Sequence, residues 1–166
     1  MKIPSVTFND FIEKFPEVDL PITLNDESHH IFSRQNDPLS NQMIERFIYP
    51  ILEEEPSVYG EFLACFRIKD TYDFHAIVFW KAELMDYQYI LATFNKKGLL
   101  IDKRVIGGTY SDGKLLTQSV ATIDDDWSIL VVSGQSDAHS ATYDASSSKT
   151  YQLELLPEGQ IIRSIN

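Results

Sequence analysis

The sequence predicts an α+β fold that is mainly β: an antiparallel β-meander of about eight strands, curved or divided into two stacked sheets, with two short N-terminal helices packed against it. Three observations carry this reading. Apolar residues at helical spacing occur only in the first third of the chain. From Gly60 onward, short apolar runs follow one another between clusters of turn-forming residues. The 166 residues, 43% of them hydrophobic, suit one domain with a substantial core. The chain therefore reads as a single domain over 1–166, with a helical, loop-rich and acidic part over 1–56 and an antiparallel β part over 57–166.

Thr7 is placed to cap a first helix with Asp10 in its first turn, and Phe8, Phe11, Ile12 and Phe15 form its apolar face before Pro16 stops it. The following "VDLPITL" is extended, because Pro21 excludes a helix and pushes Leu20 out of the α region, and it suits an edge strand. The polar run from Asn25 to Asn41 has no apolar period and reads as an exposed loop. Ser40 or Asn41 caps a second helix with Met43, Ile44, Phe47 and Ile48 on one face. Pro50 ends or kinks it before the acidic residues at Glu53 to Glu55.

The strands follow. "GEFLACFRIK" places Phe62, Ala64, Phe66 and Ile68 on one face. "FHAIVFWKAEL" is apolar on both faces, with Ala76, Val78 and Trp80 on one and Ile77 and Phe79 on the other, so it is the expected central strand, with Trp80 in the core. "YQYILATF" and "LLIDKRVI" form a hairpin in which Gly98 supplies a positive φ. "LLTQSVATI" and "WSILVVSG" flank the acidic turn at Asp124 to Asp126, and "KTYQLELL" turns through "PEG" into "QIIRSI". The likeness of the Tyr87 to Gly108 segment to Thr150 to Ile165, each opening on Tyr-Gln and turning at a Gly, reads as shared hairpin grammar within one meander or two stacked sheets.

Charge narrows the function classes. The net charge is −11, and residues 1–61 hold 12 acidic against 4 basic residues, whereas 62–166 hold 13 against 10. Nucleic acid backbones and anionic membranes both require a positive field, so neither is the expected partner. A basic protein suits the field. Cys65, the single cysteine, reads as a small buried apolar side chain, and the fold is held without a disulfide. The chain shows no leader-like segment and no apolar run of about eighteen residues. With no Asn-x-Ser/Thr sequon either, a cytoplasmic bacterial protein is the expectation.

Motifs for chemistry are weak. His29 and His30 are adjacent, a spacing that usually points two side chains apart, and they read as solvated loop residues. Ser133, Ser136, Asp137 and His139 resemble triad ingredients, but no G-x-S-x-G elbow surrounds them. "GGTYSDGK" lacks the residue after Lys114 that a phosphate loop needs, and "DDDWSILVVSG" lacks the distant Glu of a calcium loop.

These readings converge on a non-catalytic protein-binding module that docks a basic protein partner, a specific form of which is a toxin-neutralising immunity protein. Glu53, Glu54, Glu55, Asp124, Asp125 and Asp126 are the candidate partner-binding residues. Catalytic residues, metal ligands and cofactors are not expected. The alternative is a small-ligand or peptide-binding β-domain of an exported protein, its groove lined by Tyr72, Tyr87, Tyr89, Tyr110 and Trp127.

Overall fold

The computed structural model describes residues 5–53, 60–137 and 143–164. Helix α1 (Phe8–Glu13) opens on a reciprocal cap. The Thr7 hydroxyl accepts from the Asp10 backbone N–H at 3.1 Å, and the Asp10 carboxylate accepts from the Thr7 N–H at 2.9 Å. The predicted second helix begins at Asn41–Met43 with Ser40 as its cap, widens to a π turn over Ile44–Ile48 and closes in a 3₁₀ turn over Tyr49–Ile51. Pro50, in that last turn, marks where the α pattern ends.

One further helix lies where the sequence reads as loop. Helix α2 (Ser28–Gln35) carries a single large buried side chain, Phe32, which packs on the Phe66 ring at 5.8 Å. With one anchor and no stripe, its period is invisible in the sequence. Three polar contacts hold its start instead: Ser28 Oγ accepts from the Asn25 N–H and donates to the Asn25 side chain and the Thr23 carbonyl. The irregular helix over 41–51 is therefore α3.

Among the described residues ten strands form one sheet, nine of them in a single path and the tenth pairing from off that path. The extended segment around Pro21 divides into β1 (Glu17–Val18), parallel to β3 (Glu61–Ile68), and β2 (Ile22–Leu24), antiparallel to β7 (Leu115–Ile123). The eight expected strands run from β3 through β4 (Phe74–Glu83), β5 (Asp86–Asn95), β6 (Leu100–Ser111), β7, β8 (Ser128–Asp137) and β9 (Tyr143–Leu155) to β10 (Ile161–Arg163), each antiparallel to the next.

The sheet folds over between β6 and β7. These two pair only over Gly108–Ser111 against Leu116–Ser119; beyond that, β2 takes β7, and the first half of β6 meets β10 instead. The Thr93 hydroxyl donates to the Gly159 carbonyl at 2.6 Å, and the Asp102 carboxylate accepts from the Ile161 N–H at 2.8 Å. The two Tyr-Gln hairpins, β5–β6 in the middle of the strand order and β9–β10 at its end, are thus brought together by the curvature of one sheet. Between the layers lies a core that includes Phe66, Phe74, Val78, Leu91, Ile106, Ile129, Val131, Leu153 and Ile161. On the other face α1 and α3 bury Phe11, Phe15, Met43 and Ile48 against Ile77, Phe79, Ile90 and Phe94. Strand β4 is covered on both faces, as its sequence requires.

Strand β3 departs from its simple alternation. A bulge between Ala64 and Phe66 turns Phe62 and Ala64 toward the helices but Phe66 and Ile68 toward the sheet core. The Asn36 amide donates to the Ala64 and Cys65 carbonyls at the bulge, at 2.7 and 2.8 Å. Cys65 is buried, and burial pushes its thiol far above the ordinary range. Among the described residues no helix is long and apolar enough to cross a membrane.

Candidate functional site: an aromatic and acidic cleft

A cleft of about 670 Å³ opens at the end of the sheet where β4 turns into β5. Its wall is built by strand register. Trp80 on β4 lies opposite Tyr89 on β5, and Ala82 lies opposite Tyr87, so the three aromatic residues share one face as diagonal or direct neighbours. Tyr89 is almost fully buried and its hydroxyl donates to the Asn25 carbonyl at 2.9 Å; burial raises its phenol well above the ordinary range. Tyr87 is 43% exposed.

The floor is backbone. Gly108 on β6 holds φ +141, and a Cβ there would lie 2.0 Å from the Tyr87 carbonyl oxygen, so no side chain can fill the space beside the tyrosines. Thr109 and Gln118 complete that side.

His29 covers the other side. It projects from the first turn of α2, which lies over β3, and its imidazole stacks on the Trp80 indole at 4.4 Å with 3° between the planes. Tyr87 flanks Trp80 from β5 at 5.7 Å and 7°. Burial holds the His29 imidazole below its ordinary pKa and His30 adds to this, while the carboxylates of Glu27 and Asp26 oppose it. His29 is therefore a packed side chain, which corrects its reading as a solvated loop residue; the ring of Trp80 supplied the partner that the loop sequence could not show.

Asp26 before α2 and Glu61 on β3 stand at the opening, and Glu83 at the end of β4 also lines the cleft but pairs with Lys81. None of the described lining residues is a lysine or an arginine. At the rim the β4–β5 turn displays Leu84 and Met85, 84% and 54% exposed, with Met85 at φ +62. The nearby cations face the opposite side of the sheet. Lys81, 3.5 Å from Glu83, and Lys103 line a separate cavity with Glu53 and Gln88.

The sequence-predicted site residues that the structure describes fall elsewhere. Glu53 leaves α3 on the helical side and lies 3.9 Å from Lys103. Glu54 and Glu55 lie outside the described residues, as does His139. Asp124, Asp125 and Asp126 form the β7–β8 turn. The Asp126 carboxylate accepts from the Ser128 hydroxyl and N–H at 2.6 and 3.0 Å, which holds it below the ordinary carboxylate range. That turn adjoins the start of β4, where Trp127 meets Phe74 edge-on at 5.9 Å. Trp80 lies six residues further along the strand, roughly 20 Å away. Ser133 bonds Ser119 at 3.1 Å within the sheet.

Of the five aromatic residues proposed from sequence for a groove, Tyr87 and Tyr89 line this cleft and Tyr110 lines a shallower neighbour. Trp127, partly buried, packs against the core, and Tyr72 stands exposed in the β3–β4 turn. Among the described residues no group of three His, Cys, Asp or Glu side chains is arranged to hold a metal ion. Compared with family models, curated proteins and solved structures, the chain matches none.

Proposed function

We propose that the protein is a binding module that receives a basic protein partner, and that the aromatic and acidic cleft is where the partner docks. The observation that carries this reading is the composition of the cleft: Trp80, Tyr87 and Tyr89 form a wall beside Gly108, and the carboxylates of Asp26 and Glu61 stand at its mouth with no lysine or arginine among the described lining residues. Aromatic residues are the side chains that most often dominate binding energy, and carboxylates at a rim steer a cationic partner and set its orientation. The net charge of −11 extends the same field over the molecule.

The turn beside the cleft supports it. A methionine at positive φ is strained by about 1 kcal/mol where Gly would not be, and strain of this kind clusters at functional sites. Leu84 and Met85 offer a partner two apolar side chains next to the exposed edge of Tyr87. A toxin-neutralising immunity protein is one specific form of such a module. The volume of the cleft also suits a small cationic ligand, which is the second reading.

The test is capture from the native lysate at low and moderate salt by the wild-type chain and by Glu61→Lys and Tyr87→Ala variants. A stoichiometric basic protein, retained by the wild type and lost from both variants, is the expected result. A partner held equally by all three would place docking elsewhere.

A further inference from the structure

Resting on that reading, we propose that the cleft takes an arginine side chain of the basic partner, its guanidinium displacing His29 from the face of Trp80. Four observations carry it. His29, Trp80 and Tyr87 are stacked nearly parallel, so the space on the His29 side of the indole is a slot for a flat group. An imidazole already occupies it at 4.4 Å, the spacing at which a planar cation also stacks.

The occupant is the one ring of the three that stands on a helix rather than in the sheet. Trp80 and Tyr87 stand on strands paired along their whole length, whereas His29 rides on the first turn of a short helix, where its ring meets Trp80 and the neighbouring His30 and is hydrogen-bonded to the Asp26 backbone. Carboxylates stand on the same side. Glu61 lies opposite Ala82 on β3, the strand under α2, and Asp26 lies three residues before His29, so the edge of a group in the slot meets acceptors.

These features distinguish arginine from lysine. A guanidinium is planar, stacks on an aromatic face and directs its N–H groups outward in its own plane, where Glu61 and Asp26 receive them. An ammonium is attracted by the same charges but gains nothing from the flatness of the slot.

The experiment titrates the full chain with two peptides matched in length and charge, one of alternating Gly and Arg and one of alternating Gly and Lys. Binding is followed by calorimetry and by the indole N–H signals in NMR. The chain has two tryptophans, so Trp127 serves as the internal control for Trp80.

The arginine peptide is expected to bind at least about threefold more tightly and to shift the Trp80 signal. His29→Ala should tighten arginine binding further by about threefold, because the slot is vacated. Glu61→Gln should weaken both peptides. Equal binding of the two peptides, still sensitive to Glu61→Gln, would overturn the arginine slot and leave the acidic docking site standing. Weaker arginine binding in His29→Ala would make His29 part of the receptor and refute displacement. If neither peptide binds nor shifts Trp80, the basic-partner reading fails together with the slot.

Discussion

Phe79 and Trp80 are neighbours on β4 with opposite fates. Phe79 is fully buried beneath the helices, while Trp80 forms the half-buried wall of the cleft between His29 and Tyr87. Phe79→Ala should therefore cost about 3 to 5 kcal/mol and Trp80→Ala only about 2, because part of the indole surface is in water already. Urea denaturation of the two variants checks the order; a larger loss at Trp80 would show the indole to be a core residue after all, as its sequence suggests. At this scale the sequence was half legible. The alternation of "FHAIVFWKAEL" assigns each side chain to a face but not to a depth, and nothing in "DESHHIF" announces that His29 lies against an indole fifty-one positions later. Asp26 and Glu61 were likewise indistinguishable from other surface acids, since only the fold brings them to one opening.

Among the elements, the β4–β5 hairpin is the most informative. Its turn places Met85 at φ +62 without a Gly or Asn, so Met85→Gly should raise stability by about 1 kcal/mol while weakening partner capture. Denaturation and capture measured on the same variant test both halves; a destabilised variant would show that Met85 is held by packing instead. Helices α1 and α3 and all eight strands from β3 onward were legible from period and turn residues, as the capping box at Thr7 and the positive φ of Gly98 illustrate. Helix α2 was hidden because a helix anchored by one phenylalanine and a few polar contacts carries no stripe. The bulge at Cys65 was hidden for a related reason: an alternating pattern continues through an inserted residue without a sign in the sequence, although the face changes. The Asp126 turn should also be sensitive. Asp126→Ala removes the acceptor of Ser128 and should lower the melting midpoint.

Over the whole molecule, charge and titration act together. Burial holds both His29 and His75 below the ordinary imidazole pKa, with Lys96 and Arg67 adding to the effect at His75 and His30 adding to it at His29. The folded chain therefore takes up these protons less readily than the unfolded chain. Their contribution to stability is complete above pH 6.5 and is lost as pH falls below it toward the lowered folded values. The melting temperature should drop between about pH 7.5 and about pH 5.5, and a His75→Gln variant should show a shallower drop. An unchanged slope would assign the dependence to other groups. The folded-over sheet has a consequence for biosynthesis. Among the described residues strand β2 pairs with β7 alone, and the Thr23 and Thr122 hydroxyls that meet at 3.0 Å are separated by 99 positions of chain. As the chain leaves the ribosome, β2 must wait for most of the sheet to be made before it can pair. Closure of the N-terminal third is then a late event in synthesis, and until β7 emerges Leu24 lacks the sheet layer that buries it.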